Sequence, residues 1–114
     1  MTTPIDQLRT FLEPLLPGWR IQAGAWRDGD GRFCVIRPVA GAGAGLLRRP
    51  QFSVLLIGRR GDTFTVVNEA ANQIVEAMRA SSGELVYLEA GEPAFNPTEN
   101  GRQAFEIAVL AITN

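Results

Sequence analysis

The run FSVLLIGRRGDTFTVVNEAANQIVEAMRA, residues 52–80, decides the fold, because it joins an apolar strand to an amphipathic helix through a charged turn. Phe52-Ser53-Val54-Leu55-Leu56-Ile57 is short, β-branched and aromatic, and it stops at Gly58-Arg59-Arg60-Gly61-Asp62. From Phe64 the large apolar residues Phe64, Val67, Ala71, Ile74 and Met78 recur in steps of three and four, so they line one helix face. Thr65, Asn68, Glu69, Asn72, Gln73, Glu76 and Arg79 form the solvated face. Asp62 or Thr63 can cap the first turn with a side-chain oxygen, and Ser81-Ser82-Gly83 supplies a stop. One strand with one packed helix is the expected nucleus.

Working outward, Thr2 or Thr3 before Pro4 reads as the cap and first-turn proline of a first helix, in which Ile5, Leu8, Phe11, Leu12 and Leu15 keep helical spacing until Pro17-Gly18 ends it, with Pro14 kinking or ending it early. Residues 19–26 alternate loosely and read as a strand, as do Phe33-Cys34-Val35-Ile36-Arg37. The turn composition Asp28-Gly29-Asp30-Gly31 between them predicts a hairpin. Leu85-Val86-Tyr87-Leu88-Glu89 is a fourth strand, and a Gly- and Pro-rich connection leads to a last one over residues 103–113. The fold class that follows is α+β: a single mixed, mainly antiparallel sheet of about five strands, two helices on one face, in the order α-β-β-β-α-β-β, with residues 1–114 forming one domain.

Two of these strands are apolar on both faces. In the last, Phe105, Ile107, Val109 and Ala111 oppose Ala104, Ala108, Leu110 and Ile112; in the central one Phe52, Val54 and Leu56 oppose Leu55 and Ile57. Strands of this kind sit in the middle of a sheet covered on both sides. Two helices cover one face, so the other must be covered by a second protein, a second copy, or the first helix together with residues 19–26. Exposing several large side chains would forfeit about 1.5–3 kcal/mol each.

Composition narrows the chemistry. The chain has 114 residues, 46% of them hydrophobic, with eleven arginines against twelve acids, no lysine and no histidine. A formal net charge of −1 gives no general attraction to nucleic acid or anionic membrane. General acid–base catalysis by histidine and Schiff-base chemistry by lysine are excluded. The single cysteine, Cys34, lies in an apolar strand and reads as a buried structural thiol. No stretch has the length of a membrane span and the start lacks the pattern of a signal peptide, so folding in a cytoplasm is expected.

Other candidate motifs reduce to plain readings. Asp28-Gly29-Asp30-Gly31-Arg32 begins like a calcium loop, but Arg32 replaces an acidic ligand and Val39 stands where the closing glutamate belongs. Gly41, Gly43 and Gly45 are not followed by Lys-Ser/Thr and lie between strands, so they are not a phosphate loop. Trp19 and Trp26 read as core or hairpin residues, not as a stacking platform for nucleic acid. Asp28, Asp30 and Glu106 offer no carboxylate pair at a defensible catalytic spacing. Neither a cofactor nor a metal is expected, and an enzyme is not. The arginine pairs Arg48-Arg49 and Arg59-Arg60 flank the central strand, either as contacts to a neighbouring subunit or as solvated guards against edge aggregation. Leu46 and Leu47, in a loop otherwise poor in side chains, are either anchors that order against a partner or part of a tolerated insertion.

Residues 50–113 resemble the tail terminator proteins of long-tailed bacteriophages, the lambda-type terminators and related prophage minor tail or minor capsid proteins. The resemblance is carried by the extended segment Pro50-Gln51-Phe52-Ser53-Val54, the helix with Ala70, Ala71, Ile74, Val75 and Met78 on its packed side, the turn Gly91-Glu92-Pro93, and Asn100-Gly101-Arg102 before a closing strand that contains Phe105. It implies a structural protein of virion assembly: a homo-hexameric ring at the head-proximal end of the tail tube that ends tube polymerisation and offers a surface for head joining. The implied partners are further copies of itself, the tail-tube protein and a head-completion protein, with no sequence-specific nucleic acid and no membrane. The implied location is the bacterial host cytoplasm during assembly and the virion tail thereafter. Leu46, Leu47, Arg48, Arg49, Leu55, Ile57, Arg59 and Arg60 are the expected subunit or tube contacts. The alternatives are a head-completion or connector protein and a small α+β module that binds an effector in a cleft.

Overall fold

The computed structural model describes residues 4–24, 26, 29–39, 51–80, 87–95, 97, 98 and 101–112. Helix α1 (Pro4–Leu12) continues into a 3-10 turn, Glu13–Leu15, with Pro14 near its start, where a missing N–H is harmless. Strands β1 (Trp19–Ala23), β2 (Arg32–Val39) and β3 (Gln51–Ile57) follow, then helix α2 (Phe64–Arg79), β4 (Tyr87–Ala90), β5 (Ala94–Phe95) and β6 (Ala104–Ile112). One mixed sheet holds them in the order β1-β2-β3-β6-β4, with β5 also paired to β6. The two apolar-on-both-faces strands, β3 and β6, are neighbours in its interior and pair antiparallel, Val54 opposite Ile107 and Leu56 opposite Phe105. The α+β class with both helices on one face is as the sequence implied.

The helices seal that face. Leu8, Leu12 and Leu16 from the N-terminal segment, and Val67, Ala71, Ile74, Val75 and Met78 from α2, pack on Cys34, Ile36, Phe52, Val54, Leu56, Phe105, Ile107 and Val109. Nearly all are fully buried, so this layer supplies most of the apolar burial. Thr63, and not Asp62, caps α2, its Oγ1 accepting from the Val66 N–H at 3.4 Å. Asp62 instead closes the preceding turn: its N–H donates to the Arg59 carbonyl at 2.9 Å and its carboxylate accepts from the Arg59 N–H at 2.7 Å. Gly61 takes φ +91° there. Gly58 is required by proximity, since a Cβ on it would come within 2.7 Å of Val67 Cγ2 and push α2 off the sheet.

The hairpin expected between β1 and β2 does not form; the two strands pair in parallel, Trp19 opposite Arg32 and Ala23 opposite Ile36. Parallel neighbours usually need about a dozen connecting residues or more, whereas residues 24–31 suffice here. Their reach of roughly 26 Å exceeds the roughly 16 Å length of β1 that they retrace. The physical reason for the return is Trp26, which leaves the strand and lies on the face opposite the helices against Phe33, Val35, Ile57 and Ala104. Its ring meets Phe33 edge-on at 6.1 Å. β1 therefore ends at Ala23, and Trp26 is not part of it. Of the first helix and residues 19–26, expected together as a cover for the second face, Trp26 does contribute and the first helix does not, since it packs in the core on the opposite face.

Strand β5 had no counterpart in the sequence pattern, being two residues long in a Pro-rich connection. The helix stop suggested at residues 81–83, and residues 85 and 86 of the fourth strand, lie outside the described residues.

Candidate assembly surfaces

The second face divides into a sealed half and an open half. Arg102 organises the sealed half. It is 3% exposed, and its guanidinium donates to the Gly58 carbonyl at 2.8 Å, to the Gly29 carbonyl at 2.9 Å and to the Gly31 carbonyl. Its charge also lies 5.5 Å from the ring centres of both Trp26 and Phe33. The Gly-rich stretch that began like a calcium loop thus turns two carbonyls toward a guanidinium. A turn holds Arg102 in place, the Arg102 N–H donating to Thr98 Oγ1 at 3.1 Å with Gly101 at φ +80°. In the sequence, Arg102 stood out only within the Asn100-Gly101-Arg102 resemblance; nothing in its spacing marks it as buried.

A second arginine locks the same end of the molecule. Arg32 makes a two-pronged ion pair with Asp62, Nε to Oδ2 at 2.8 Å and Nη2 to Oδ1 at 3.1 Å, and stacks 5.9 Å from the Trp19 ring. The guanidinium hydrogen bonds hold the Asp62 carboxyl below its ordinary value, with help from the Arg59 N–H. The same hydrogen bonds raise Arg32. On the helix-covered face, burial alone pushes the Cys34 thiol up to about 12, as expected of an inert structural cysteine.

The open half offers a groove of about 370 Å³ on β3 and β6, whose lining includes Val39, Ser53, Gly91, Glu106, Ala108 and Leu110. Val39 and Ala108 are exposed and Leu110 is half-buried. Ser53 Oγ is buried without a hydrogen-bond partner among the described residues. Leu55 is also half-buried, packing on the Trp26 cluster, while Ile57 is fully buried beneath it. Ile57 is therefore closed off as a contact in the isolated chain, contrary to the expectation from the two-faced strand. Arg59 and Arg60 stand exposed on the turn before α2. Leu46, Leu47, Arg48 and Arg49 lie outside the described residues.

A further surface escaped the sequence reading. Phe64, Phe95 and Phe105 form a three-ring cluster with centroids 5.1–5.3 Å apart. Phe105 is buried, whereas Phe64 and Phe95 are each 48% exposed. Phe64 looked like the first residue of a core stripe, but its ring meets those of Phe95 and Phe105 and stays half-exposed. Phe95 gives no periodic signal in a two-residue strand.

The profile of the family described as phage tail termination protein matches residues 1–114. The chain belongs to that family. It is accordingly a structural protein of a phage tail, and the resemblance read over residues 50–113 extends to the whole sequence. No curated protein sequence matches it. Arg102 and the Arg32–Asp62 pair fix the end of the sheet beside the turn that carries Arg59 and Arg60. No helix among the described residues is long and apolar enough to cross a membrane.

Proposed function

We propose that this member of the phage tail termination family forms a six-fold ring on the head-proximal end of the tail tube, ends tube polymerisation, and presents the surface on which the head is joined. The observation that carries this reading is the family match over residues 1–114. Termination is a geometric act: one side of the ring complements the growing tube, and the other offers no site for a further tube subunit. Around the ring, contacts are head-to-tail and close because the rotation per subunit closes. The chain's overall charge of −1 suits a ring through which DNA passes without being held. The partners are copies of the same chain, the tail-tube protein and a head-completion protein, met in the host cytoplasm before the ring is carried in the virion tail. No cofactor takes part.

The test is the mass of the purified chain across a hundredfold concentration range, with negative-stain images of the same samples, followed by addition to polymerising tail-tube protein. Rings of six and shortened, capped tubes are expected. Tubes that grow to the same length with and without the chain would overturn the termination role.

A further inference from the structure

We propose that the ring closes by seating the Phe64–Phe95 knob of one copy in the β3–β6 groove of the next, with Arg59 of the first copy meeting Glu106 of the second. The proposal rests on the ring reading given above and names its contact.

Four observations carry it. The knob is preformed: Phe64 and Phe95 are each 48% exposed yet held by the buried Phe105 ring beneath them, so little side-chain freedom is lost when they are covered. Exposed phenylalanines beside an exposed arginine have the composition of an interface centre rather than of an ordinary surface. The groove matches in size and character, since its volume of about 370 Å³ admits an aromatic side chain and its walls include Val39, Ala108 and Leu110. Ser53 Oγ, buried in its wall, has no hydrogen-bond partner among the described residues. The charges are opposite: Arg59 and Arg60 stand on the turn that leads into Phe64, and Glu106 stands exposed at the groove. The two surfaces also point to opposite sides of one sheet. Phe95 pairs with Phe105, whose side chain lies in the helix-covered core, while Glu106, one position on, faces the other way. A knob and a groove turned in different directions associate head-to-tail, and such contacts close into a ring when the rotation per subunit closes.

The full-length chain is examined by sedimentation velocity and negative stain as wild type, Phe95→Asp, Ala108→Trp, Arg59→Glu, Glu106→Arg and the double variant Arg59→Glu/Glu106→Arg. Thermal unfolding of each confirms that it folds. Phe95→Asp and Ala108→Trp should each weaken association by roughly thirtyfold or more, the scale of losing an interface hot spot. Each single charge reversal should weaken it by about tenfold or less, and the double variant should recover most of that loss, because every contact in a homo-oligomer then carries the swapped pair. A chain carrying Phe95→Cys and Ala108→Cys should oxidise to a ladder of linked subunits ending at six. Rings that persist unchanged in Phe95→Asp and Ala108→Trp, with no ladder, overturn this contact and leave the ring reading standing. A wild-type chain that stays monomeric even in the presence of tail tubes, with no ladder from the double-cysteine variant there, overturns both.

Discussion

The two faces of the sheet are built from the same strands and end up in opposite states. On the helix side, Cys34, Ile36, Val54, Leu56 and Ile107 vanish under two helices. On the other, Phe33, Val35, Ile57 and Ala104 are closed by one tryptophan and one arginine, and a few residues away the surface carries Glu106, Ala108 and Val39 in the open. The first face is sealed by apolar area, which is non-directional and tolerant. The second is sealed by a cation on three carbonyls, which is directional and fails as a unit. The difference teaches that only one face is devoted wholly to stability; the other is free at its open end to meet something else.

The comparison is broken most severely at Leu56 and Leu55, adjacent residues on opposite faces. Leu56→Ala should cost about 3 kcal/mol and Leu55→Ala about 1 kcal/mol or less, measured as chemical denaturation midpoints at constant slope. Equal losses would show that the second face is as tightly packed as the first.

Next in size is Arg102→Met, which keeps much of the bulk and removes the donors to Gly29, Gly31 and Gly58. A loss of about 2 kcal/mol is expected, with Trp26 emission shifting to the red as its cover loosens. Unchanged emission would mean that Trp26 holds its place without the guanidinium.

The Arg32–Asp62 pair gives a smaller effect with a pH signature. Asp62 titrates lower in the folded chain than in the unfolded one, so its contribution is complete above the ordinary carboxylate range. It is lost as pH falls through the depressed folded value. Asp62→Asn should therefore cost about 1 kcal/mol near neutrality and converge with wild type in strong acid. A difference that persists at low pH would place the effect in packing instead.

The gentlest test leaves stability alone. At pH 8, and diluted until the chain is monomeric, a thiol reagent should label Ala108→Cys within the mixing time and leave Cys34 unmodified until the chain unfolds, given a thiol pushed up to about 12. Because an unfolded thiol ionises near 9.0 while the folded one holds its proton, stability should also decline as pH climbs from about that value toward 12.

How much of this was legible depends on whether the signal was periodic. The α2 stripe at Val67, Ala71, Ile74 and Met78, and the two-faced character of β3 and β6, follow from spacing alone and appear in the structure where the pattern puts them. The pairing of β1 with β2 was misread because Asp28-Gly29-Asp30-Gly31 has hairpin composition. The direction of the chain there is set by Trp26 and Arg102, contacts that no local pattern encodes. Ile57 looked available because a two-faced strand reports that both sides are apolar without reporting what covers each. The Phe64–Phe95 surface was invisible for the complementary reason: its two rings come from distant segments and meet only because β5 pairs with β6.

The guanidinium that shapes residues 29–31 belongs to a residue 71 to 73 positions further along the chain. On a ribosome adding ~5–20 residues per second, roughly four to fifteen seconds separate the synthesis of those carbonyls from that of their donor. Throughout that interval Phe33 and Val35 have no permanent cover, so the early half of the nascent chain is the part most open to mistaken association. The order of translation, and not only the energy of the finished fold, thus sets when this subunit acquires its final surface.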